Sequence, residues 1–231
     1  MPLLPRMTRR HLLVGGLAAL AVLPYARPAR ANEQQRLVDR AKLALEEFLD
    51  DKTFEVMRAY VQNAEAVMVF PALLKAALLI GAEGGNGVML VRHETSRAWS
   101  NPAFFTLFEG SFGLQIGGAA TAVVLTIMNR PAIDKILTTQ FKLGTDARVA
   151  AGPVGPGVGA GTTARFGEDI YTFARSRGLF AGLSLDGAAI LPKRGWNAAY
   201  YGAEVSAARI LRGEAGSNPG ADALRATLAR F

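Results

Sequence analysis

The sequence predicts an α+β protein in which a mainly antiparallel, strongly curved and glycine-rich β-sheet follows N-terminal helices. Apolar residues recur at three- and four-residue spacing over residues 32–61, which indicates helices. From Ala64 onward, short apolar segments alternate with glycine and proline, a pattern typical of strands and turns. Helices followed by many short strands favour the α+β class over a doubly wound parallel sheet. One inserted helix and a short C-terminal helix complete the predicted architecture.

Residues 1–31 are predicted to be a signal peptide of the twin-arginine type. Arg9-Arg10 precedes an apolar run from Leu12 to Leu23, which is too short to anchor the chain in a bilayer. The run is followed by Ala29-Arg30-Ala31, a small-x-small cleavage pattern, so the mature chain is expected to begin at Asn32. We therefore expect a periplasmic or secreted protein that associates peripherally with a membrane. An uncleaved amphipathic anchor is the alternative.

The charge balance of the mature chain is nearly neutral. Five of the 26 basic residues and none of the 19 acidic residues lie in residues 1–31, which leaves a net charge of +2 for the rest. The high precursor charge is therefore no indication of nucleic-acid binding, and we expect no nucleic-acid partner. The chain contains no cysteine, which excludes disulfides and thiolate chemistry.

The N-terminal helical region is assigned to residues 32–63, ahead of a β-rich domain with a C-terminal helix over residues 64–231. Asp50-Asp51 predicts a break, with Asp51 or Thr53 capping a second helix that runs through Tyr60. The apolar face of the first helix is interpreted as core packing, with membrane contact as the alternative. That face consists of Leu37, Val38, Ala41, Leu45, Phe48 and Leu49.

The strand segments are separated by predicted turns. We expect Pro71 to stop the first strand, residues 83–86 to form a turn, and Gly87 to His93 to form the next strand. Residues 110–128 are too glycine-rich for one ordinary helix and are interpreted as one or two buried strands. The inserted helix follows, with Pro131 near its first turn.

The stretch "AAGPVGPGVGAG", residues 150–161, is interpreted as a strand with a glycine face. It lacks the lysine of a phosphate loop and the spacing of a dinucleotide-binding motif. Every second residue from Gly155 to Gly161 is glycine, and two is the side-chain period of a strand. A glycine face lets another backbone or a ring approach closely. Pro153 and Pro156 predict an edge or irregular position for this strand.

Five sequence blocks, in order, resemble the SYLF domain family over roughly residues 64–202. The blocks are "VFPALLKAALLIGAEGGNGVMLVR", "WSNPAFFTLFEGSFGLQIGG", "AAGPVGPGVGAG", "YTFARSRGLFAGLSLDGAAI" and "NAAYYG". The chain departs from the usual pattern at "KAALLIGAEGGNG", where many members have a glycine after the lysine.

The resemblance implies a lipid-binding domain without enzymatic activity. Eukaryotic members bind anionic phospholipids, especially phosphoinositides, and some bind actin filaments. Bacterial members are exported single-domain proteins. A bacterial periplasm normally lacks phosphoinositides and actin, so an anionic phospholipid headgroup is the ligand that the resemblance transfers to this chain.

Basic residues are the predicted contacts for such a headgroup. Surface cations contribute about 1 kcal/mol each near an anionic membrane. The lipid-binding residues predicted on this basis are Arg175, Arg177, Lys193, Arg194 and Lys75. If residues 170–177 and 179–191 form adjacent antiparallel strands, the pair Arg175 and Arg177 lies at the turn. The pair Lys193 and Arg194 then lies at the far end, so the two pairs need not meet. The alternative is ordinary surface charge that balances the 19 acidic residues.

An amphipathic or aromatic element completes the predicted lipid contact. The N-terminal helix has an amphipathic pattern, and "NPAFFTLFEG" is unusually aromatic for a loop. Core packing is the alternative for the aromatic residues. The rings concerned are those of Trp99, Phe104, Phe105, Phe108 and Trp196.

We expect no catalytic residue, no cofactor and no metal site. His93 is the single histidine after residue 31, and the chain has no cysteine to accompany it as a metal ligand. A hydrolase that uses Ser111 and His93 is an alternative, although the G-x-S-x-G motif is absent from the sequence. A structural or protein-interaction module with a protein partner in the envelope is another alternative.

Overall fold

The structure is a computed structural model that describes residues 30–77, 81–111, 120–138, 141–153, 155, 167–177, 185, 187–214 and 217–231. The helices in this part of the chain are α1 (Arg30–Asp50), α2 (Met57–Asn63), α3 (Arg130–Ile136), α4 (Arg194–Tyr201), α5 (Ala207–Leu211) and α6 (Asp222–Leu228). The strands are β1 (Ala66–Ala77), β2 (Gly81–Val91), β3 (Ala103–Ser111), β4 (Ala120–Ile127), β5 (Phe141–Lys142), β6 (Val149–Ala151), β7 (Ile170–Arg177) and β8 (Ala189–Pro192).

The strands form one sheet in the order β5-β8-β3-β2-β1-β4-β7-β6. All neighbours pair antiparallel except β6 and β7, which are parallel. The predicted α+β class with a strongly curved, mainly antiparallel sheet is confirmed. Four strands separate β7 from β8, so the two segments are not adjacent.

The two faces of the sheet carry different helices. Helices α1, α2, α4 and α6 pack on one face, whereas α3 and α5 pack on the other. Phe104 and Phe105 are successive residues of β3 and are both fully buried, one in each core. The aromatic segment is therefore a central strand and not a loop, because its alternating side chains fill both cores.

The N-terminal helices match their prediction in part. The break at Asp50-Asp51 is confirmed, but Asp51 caps only a 3₁₀ turn, and α2 begins at Met57 without a side-chain cap. The first helix ends at Asp50, and the Asp51 carboxylate accepts a hydrogen bond from the Thr53 backbone N–H at 2.9 Å, capping a single 3₁₀ turn. The inner face of α1 is buried against the sheet, as the core-packing interpretation predicts. Leu45 and Phe48 are among the most deeply buried residues of this face.

The prediction that Pro71 stops the first strand is wrong. The pairing of β1 shifts register between Phe70 and Leu73 against β4, and β1 continues to Ala77. A β-bulge accommodates a residue that has no N–H to donate, so the strand resumes beyond the proline.

Residues 83–86, which were predicted to form a turn, belong instead to strand β2. Glycines permit this arrangement, because the bulged part of β1 packs directly on them. A Cβ atom at Gly85 would overlap the carbonyl oxygen of Ala72. A Cβ atom at Gly87 would lie 2.5 Å from Cδ1 of Phe70. The glycines of β2 therefore serve close packing between strands.

The glycine-rich stretch at residues 150–161 begins at the edge of the sheet. Its described residues are 150–153 and 155, and β6 lies at one edge, as Pro153 predicts. A Cβ atom at Gly152 would overlap the ring of Phe173 in β7. The ring of Phe173 thus packs directly on a glycine, as the glycine-face interpretation predicts for this stretch. Residues 154 and 156–161 lie outside the described part of the chain.

The inserted helix is confirmed, and the C-terminal region is more helical than predicted. Asn129 caps α3 by accepting a hydrogen bond from the Ala132 N–H at 3.0 Å, and Pro131 lies in the first turn. Among the described residues, α4, α5 and α6 follow β8 where one helix was predicted. Helix α4 ends at Tyr201 and is capped by Gly202, which has a left-handed φ of 73°.

Two aspartates hold the chain at breaks between elements. Thr53 donates hydrogen bonds to Asp51 and lowers the pKa of that carboxyl. Asp169 accepts hydrogen bonds from the Arg148 backbone N–H at 2.9 Å and from the Asn129 side chain at 2.8 Å. The bond from Arg148 is the main cause of the lowered pKa of Asp169.

We expect acid to destabilise the fold through these carboxylates. A folded-state pKa below the ordinary value of 3.8 stabilises the protein above that pH, and the stabilisation is lost as the pH falls through the folded pKa. The free energy of unfolding, measured by urea denaturation, should therefore fall as the pH drops below about 4. Asp169→Asn should lower it at pH 7 and flatten its pH dependence. If the free energy of unfolding depends on pH equally in the parent and in Asp169→Asn, Asp169 is not a source of the acid sensitivity.

Candidate functional site

A groove lies between the N-terminal half of α1 and the start of α4. Its volume is about 590 Å³. It is lined by Glu33, Arg36, Asp39, Arg40, Asn86 and Trp196, and we call it the α1–α4 groove.

Lys193 reaches this groove from the end of β8. Its Nζ donates a hydrogen bond to Oδ1 of Asn86 at 2.9 Å and lies 3.9 Å from the centre of the Trp196 ring. Burial lowers the pKa of Lys193, while the charge of Glu33 acts in the opposite direction. Arg194 follows as the exposed first residue of α4.

A buried amide fixes α4 against the sheet. Asn197 is fully buried, and its Oδ1 accepts a hydrogen bond from the Phe104 N–H at 2.8 Å. The Lys193 N–H donates to the Phe104 carbonyl, also at 2.8 Å. The start of α4 is thus bonded to β3, which holds Lys193 and Trp196 beside the groove.

The groove region carries more positive than negative groups. Arg36 and Arg40 are exposed on α1, in the same part of the molecule as Lys193. The three cations are Arg36, Arg40 and Lys193, and the two carboxylates are Glu33 and Asp39. Arg194 is exposed next to Lys193 in the chain. A surface of this kind attracts anions at low ionic strength.

Exposed apolar side chains lie on the face of the sheet to which Asn86 of the groove also points. Leu74 is 61% exposed and Phe108 is 54% exposed. Both pair with Gly84, Leu74 from β1 and Phe108 from β3. Directly opposed residues in antiparallel strands point to one face, so these two side chains share a face across a bare glycine.

Leu191 extends this apolar row towards the groove. It is 37% exposed and pairs with Thr106, which in turn pairs with Asn86 of the groove. Thr106 is two residues from Phe108 and therefore points to the same face. We call Leu74, Phe108 and Leu191 the apolar sheet face. It adjoins the α1–α4 groove.

The structure does not bring Arg175 to Lys193. Arg175 Nη1 lies 2.6 Å from Oε2 of Glu47, and its Nε lies 3.5 Å from Oδ2 of Asp51. These acids are at the C-terminal end of α1, about 20 Å along the helix from Glu33. Arg175 thus links β7 to α1, and its role in lipid binding stays a prediction.

Two other predicted lipid-binding residues are described only by their backbone. Arg177 pairs with Ala120, and Lys75 pairs with Glu83. Their side chains lie outside the described part of the structure. Of the predicted residues, Lys193 contacts Asn86 and Trp196 of the α1–α4 groove, and Arg194 follows it in the chain.

Ser111 and His93 cannot act together as a catalytic pair. Ser111 pairs with Gly81 at the start of β2, and His93 lies two residues beyond Val91 at its end. A strand of this length, 11 residues, separates its ends by roughly 30 Å. The hydrolase alternative is therefore excluded.

Two further findings concern metals and membrane spans within the described ranges. His, Asp and Glu form no group of three or more there that could hold a metal ion. No helix in those ranges is long and apolar enough to cross a membrane.

The chain belongs to the Ysc84 family, the family of the SYLF domain. A family model described as "Ysc84: Las17-binding protein actin regulator" matches residues 108–231, more than half of the chain. The description of the family is that of a binding and regulatory protein.

Three relatives show how far the similarity extends. SH3 domain-containing YSC84-like protein 1 of Xenopus laevis is 32% identical over 156 residues, which is 67% of this chain and 46% of the relative. Protein YSC84 of Saccharomyces cerevisiae is 30% identical over 175 residues, which is 74% of this chain and 37% of the relative. SH3 domain-containing YSC84-like protein 1 of Homo sapiens is 27% identical over 161 residues, which is 69% of this chain and 47% of the relative. The chain thus spans less than half the length of these relatives.

Proposed function

We propose that this protein binds anionic phospholipid membranes without catalysing a reaction, through the α1–α4 groove and the apolar sheet face. The observation that carries the proposal is the placement of three cations, Arg36, Arg40 and Lys193, beside three exposed apolar side chains on one face of the sheet. Membrane surfaces present the same two chemistries side by side, anionic headgroups above acyl chains.

Each part of the surface has a distinct role. Arg36, Arg40 and Arg194 attract headgroups, each by about 1 kcal/mol near an anionic surface. Phe108 and Leu74 lie two strands apart, about 10 Å, and insert together as one patch.

Helix α1 contributes its charged outer face to this contact. Its inner apolar face packs on the sheet and is not available to lipid while the domain is folded. The apolar contact therefore comes from β1, β3 and β8. Trp196 is half-buried beside Lys193, where an amphipathic ring suits the headgroup level.

The proposed location is the bacterial envelope. Arg9-Arg10 and the apolar run that follows support export by the twin-arginine route, and the groove would then meet a membrane rich in anionic phospholipid. Fractionation of cells that produce the parent chain and an Arg9→Lys/Arg10→Lys variant tests this. The parent should be in the periplasmic or membrane fraction, and the variant in the cytoplasm.

Co-sedimentation with vesicles tests the function. Vesicles of phosphatidylcholine alone are compared with vesicles that also contain phosphatidylglycerol, at low salt and at 0.5 M sodium chloride. We expect binding to the anionic vesicles to be well over tenfold stronger, and to weaken at high salt because the Debye length shrinks to a few ångströms. Absent or equal binding to both vesicles at low salt would refute the proposal.

A protein-interaction module is the second candidate. The family description as a Las17-binding actin regulator favours it, because that description names a protein partner. The apolar sheet face would then receive a protein. Recovery of one stoichiometric protein partner from the envelope fraction, without preference for anionic lipid, would support this candidate over the first.

A further inference from the structure

A second cleft, separate from the groove, is lined by arginines. It has a volume of about 720 Å³ and lies between the end of α2, the turn at residues 93–98 and α6. None of the described residues lines both this cleft and the α1–α4 groove. Its arginines are Arg92, Arg97, Arg225 and Arg230, and we call it the arginine cleft.

Arg92 and Trp99 form the inner wall of the cleft. The Arg92 guanidinium lies 4.1 Å from the centre of the Trp99 ring and donates to the Val61 carbonyl at 3.1 Å. Trp99 is 4% exposed, yet its indole N–H has no hydrogen-bond partner within the described part of the chain, and neither has Nε of Arg92. Burial, followed by the nearby charge of Arg97, lowers the pKa of Arg92. Unpaired buried donors are costly, so this wall of the cleft carries an unmet demand for hydrogen-bond acceptors.

Arg97 holds a backbone conformation that non-glycine residues rarely adopt. Its φ is 56°, and its N–H donates to the His93 carbonyl at 2.9 Å. Such a conformation costs on the order of 1 kcal/mol and persists only where the surrounding contacts hold it. Nη1 of Arg97 lies 2.9 Å from Glu65, which also pairs with Arg130 at 2.7 Å. Arg97 thus shares its acidic partner with a second cation.

The other two arginines come from the end of the chain. Nε of Arg225 donates to the Trp99 carbonyl at 3.1 Å, and its Nη1 donates to Asp222 at 3.0 Å. Arg230 is 58% exposed, and its Nη1 lies 3.8 Å from Oε1 of Glu46. A guanidinium has five N–H donors, so these contacts fix each arginine without using all of its donors.

Acidic side chains pair with three of the four arginines and leave Arg92 without an acid. Arg225 pairs with Asp222, Arg230 pairs with Glu46, and Arg97 shares Glu65 with Arg130. Within the described part of the chain, no carboxylate forms an ion pair with Arg92. A phosphate monoester, which carries about −1.5 to −2 at neutral pH, would give this guanidinium an anionic partner.

We propose that the arginine cleft binds a small molecule that carries a phosphate group. Guanidinium forks match phosphate oxygens in geometry and form charge-assisted hydrogen bonds with them. The residue Trp99 lines the cleft, and the volume is within the range of small-molecule sites. The arginines reach the cleft from three segments of the chain, which suits a tetrahedral group.

The two tryptophans of the chain make this cleft directly observable. In the full chain carrying Trp196→Phe, Trp99 is the only indole, and it lies in the cleft. Inorganic phosphate and glycerol phosphate are titrated against this protein, with sodium chloride at matched ionic strength as the control for screening. We expect a saturable change in Trp99 fluorescence with both phosphates and none with chloride.

Two substitutions in the Trp196→Phe chain test the arginines. Arg97→Gly should weaken phosphate binding about tenfold, because a charge-assisted hydrogen bond is lost. Glycine accepts the φ of Arg97, and Glu65 keeps Arg130 as its partner, so the fold is preserved. Arg148→Gln is the matched control, since Arg148 is 70% exposed outside the cleft and carries the same charge. The control should bind like its parent.

Vesicles then distinguish the two sources of phosphate. If Trp99 responds to vesicles of phosphatidic acid as it does to glycerol phosphate, the ligand is a lipid headgroup. If it responds to the soluble phosphates alone, the ligand is a free phosphate compound. The proposal is overturned if no phosphate gives a saturable signal beyond the chloride control, or if Arg97→Gly and Arg148→Gln bind equally. The Trp99→Phe chain, in which Trp196 reports on the α1–α4 groove, tests the membrane function separately.

Discussion

Replacing Gly87 with alanine is expected to lower the free energy of unfolding by about 2–3 kcal/mol, a typical cost of overpacking a core. The added Cβ would lie 2.5 Å from Cδ1 of Phe70 and 2.6 Å from the carbonyl oxygen of Val69. Phe70 is fully buried, and Val69 is paired on both sides in the middle of the sheet. Neither neighbour can move away without disturbing the bulge in β1.

Gly195→Ala is the matched control for this substitution. No atom lies within 4 Å of a Cβ at Gly195, the second residue of α4. Alanine is preferred over glycine in helices by up to about 1 kcal/mol, so this change should be neutral or stabilising. Urea denaturation of the two variants beside the parent measures both effects. Equal changes in the two variants would show that β1 does not pack on Gly87 as the structure has it.

Replacing Arg36, Arg40 and Arg194 together with glutamine should weaken binding to phosphatidylglycerol vesicles about 100-fold. Each exposed cation contributes about 1 kcal/mol near an anionic surface, and three such losses multiply to roughly that factor. All three side chains are exposed, and glutamine is a good helix former, so the fold should be retained. Co-sedimentation at about 0.1 M salt, where the Debye length is about 10 Å, measures the affinities.

A control variant with the same net charge distinguishes membrane binding through the α1–α4 groove from general attraction of a basic protein to anionic vesicles. Arg148, Arg209 and Arg212 are exposed arginines outside the groove, and the last two lie in or next to α5 on the other face of the sheet. Their joint replacement with glutamine should leave vesicle affinity within about threefold of the parent, because charges more than a Debye length away are screened. If both triple variants lose affinity equally, the α1–α4 groove is not the contact surface.

Local patterns predicted the helices and missed the bulge in β1. The break at Asp50-Asp51 depends on a carboxylate that caps the next turn, a contact between near neighbours. The path of β1 beyond Pro71 depends instead on Gly85 and Gly87 in another strand. No spacing within β1 encodes that partner, so the sequence suggested a stop.

The candidate site was predicted in part for a similar reason. Lys193 and Arg194 were identified because they are adjacent in the chain. Arg36 and Arg40 were recognisable only as the polar side of a helix until the fold placed them near Lys193. Leu74 has the pattern of a core residue, and its exposure depends on which part of the sheet the helices leave uncovered.

Helix α1 has consequences for how the protein responds to heat. One side of α1 packs in the core, and the other side forms a wall of the α1–α4 groove, so the groove exists only in the folded state. Any ligand that occupies the groove must therefore raise the melting temperature, by an amount that grows with the ratio of ligand concentration to dissociation constant. Thermal unfolding in the presence of soluble headgroup analogues thus becomes a binding assay that requires no label.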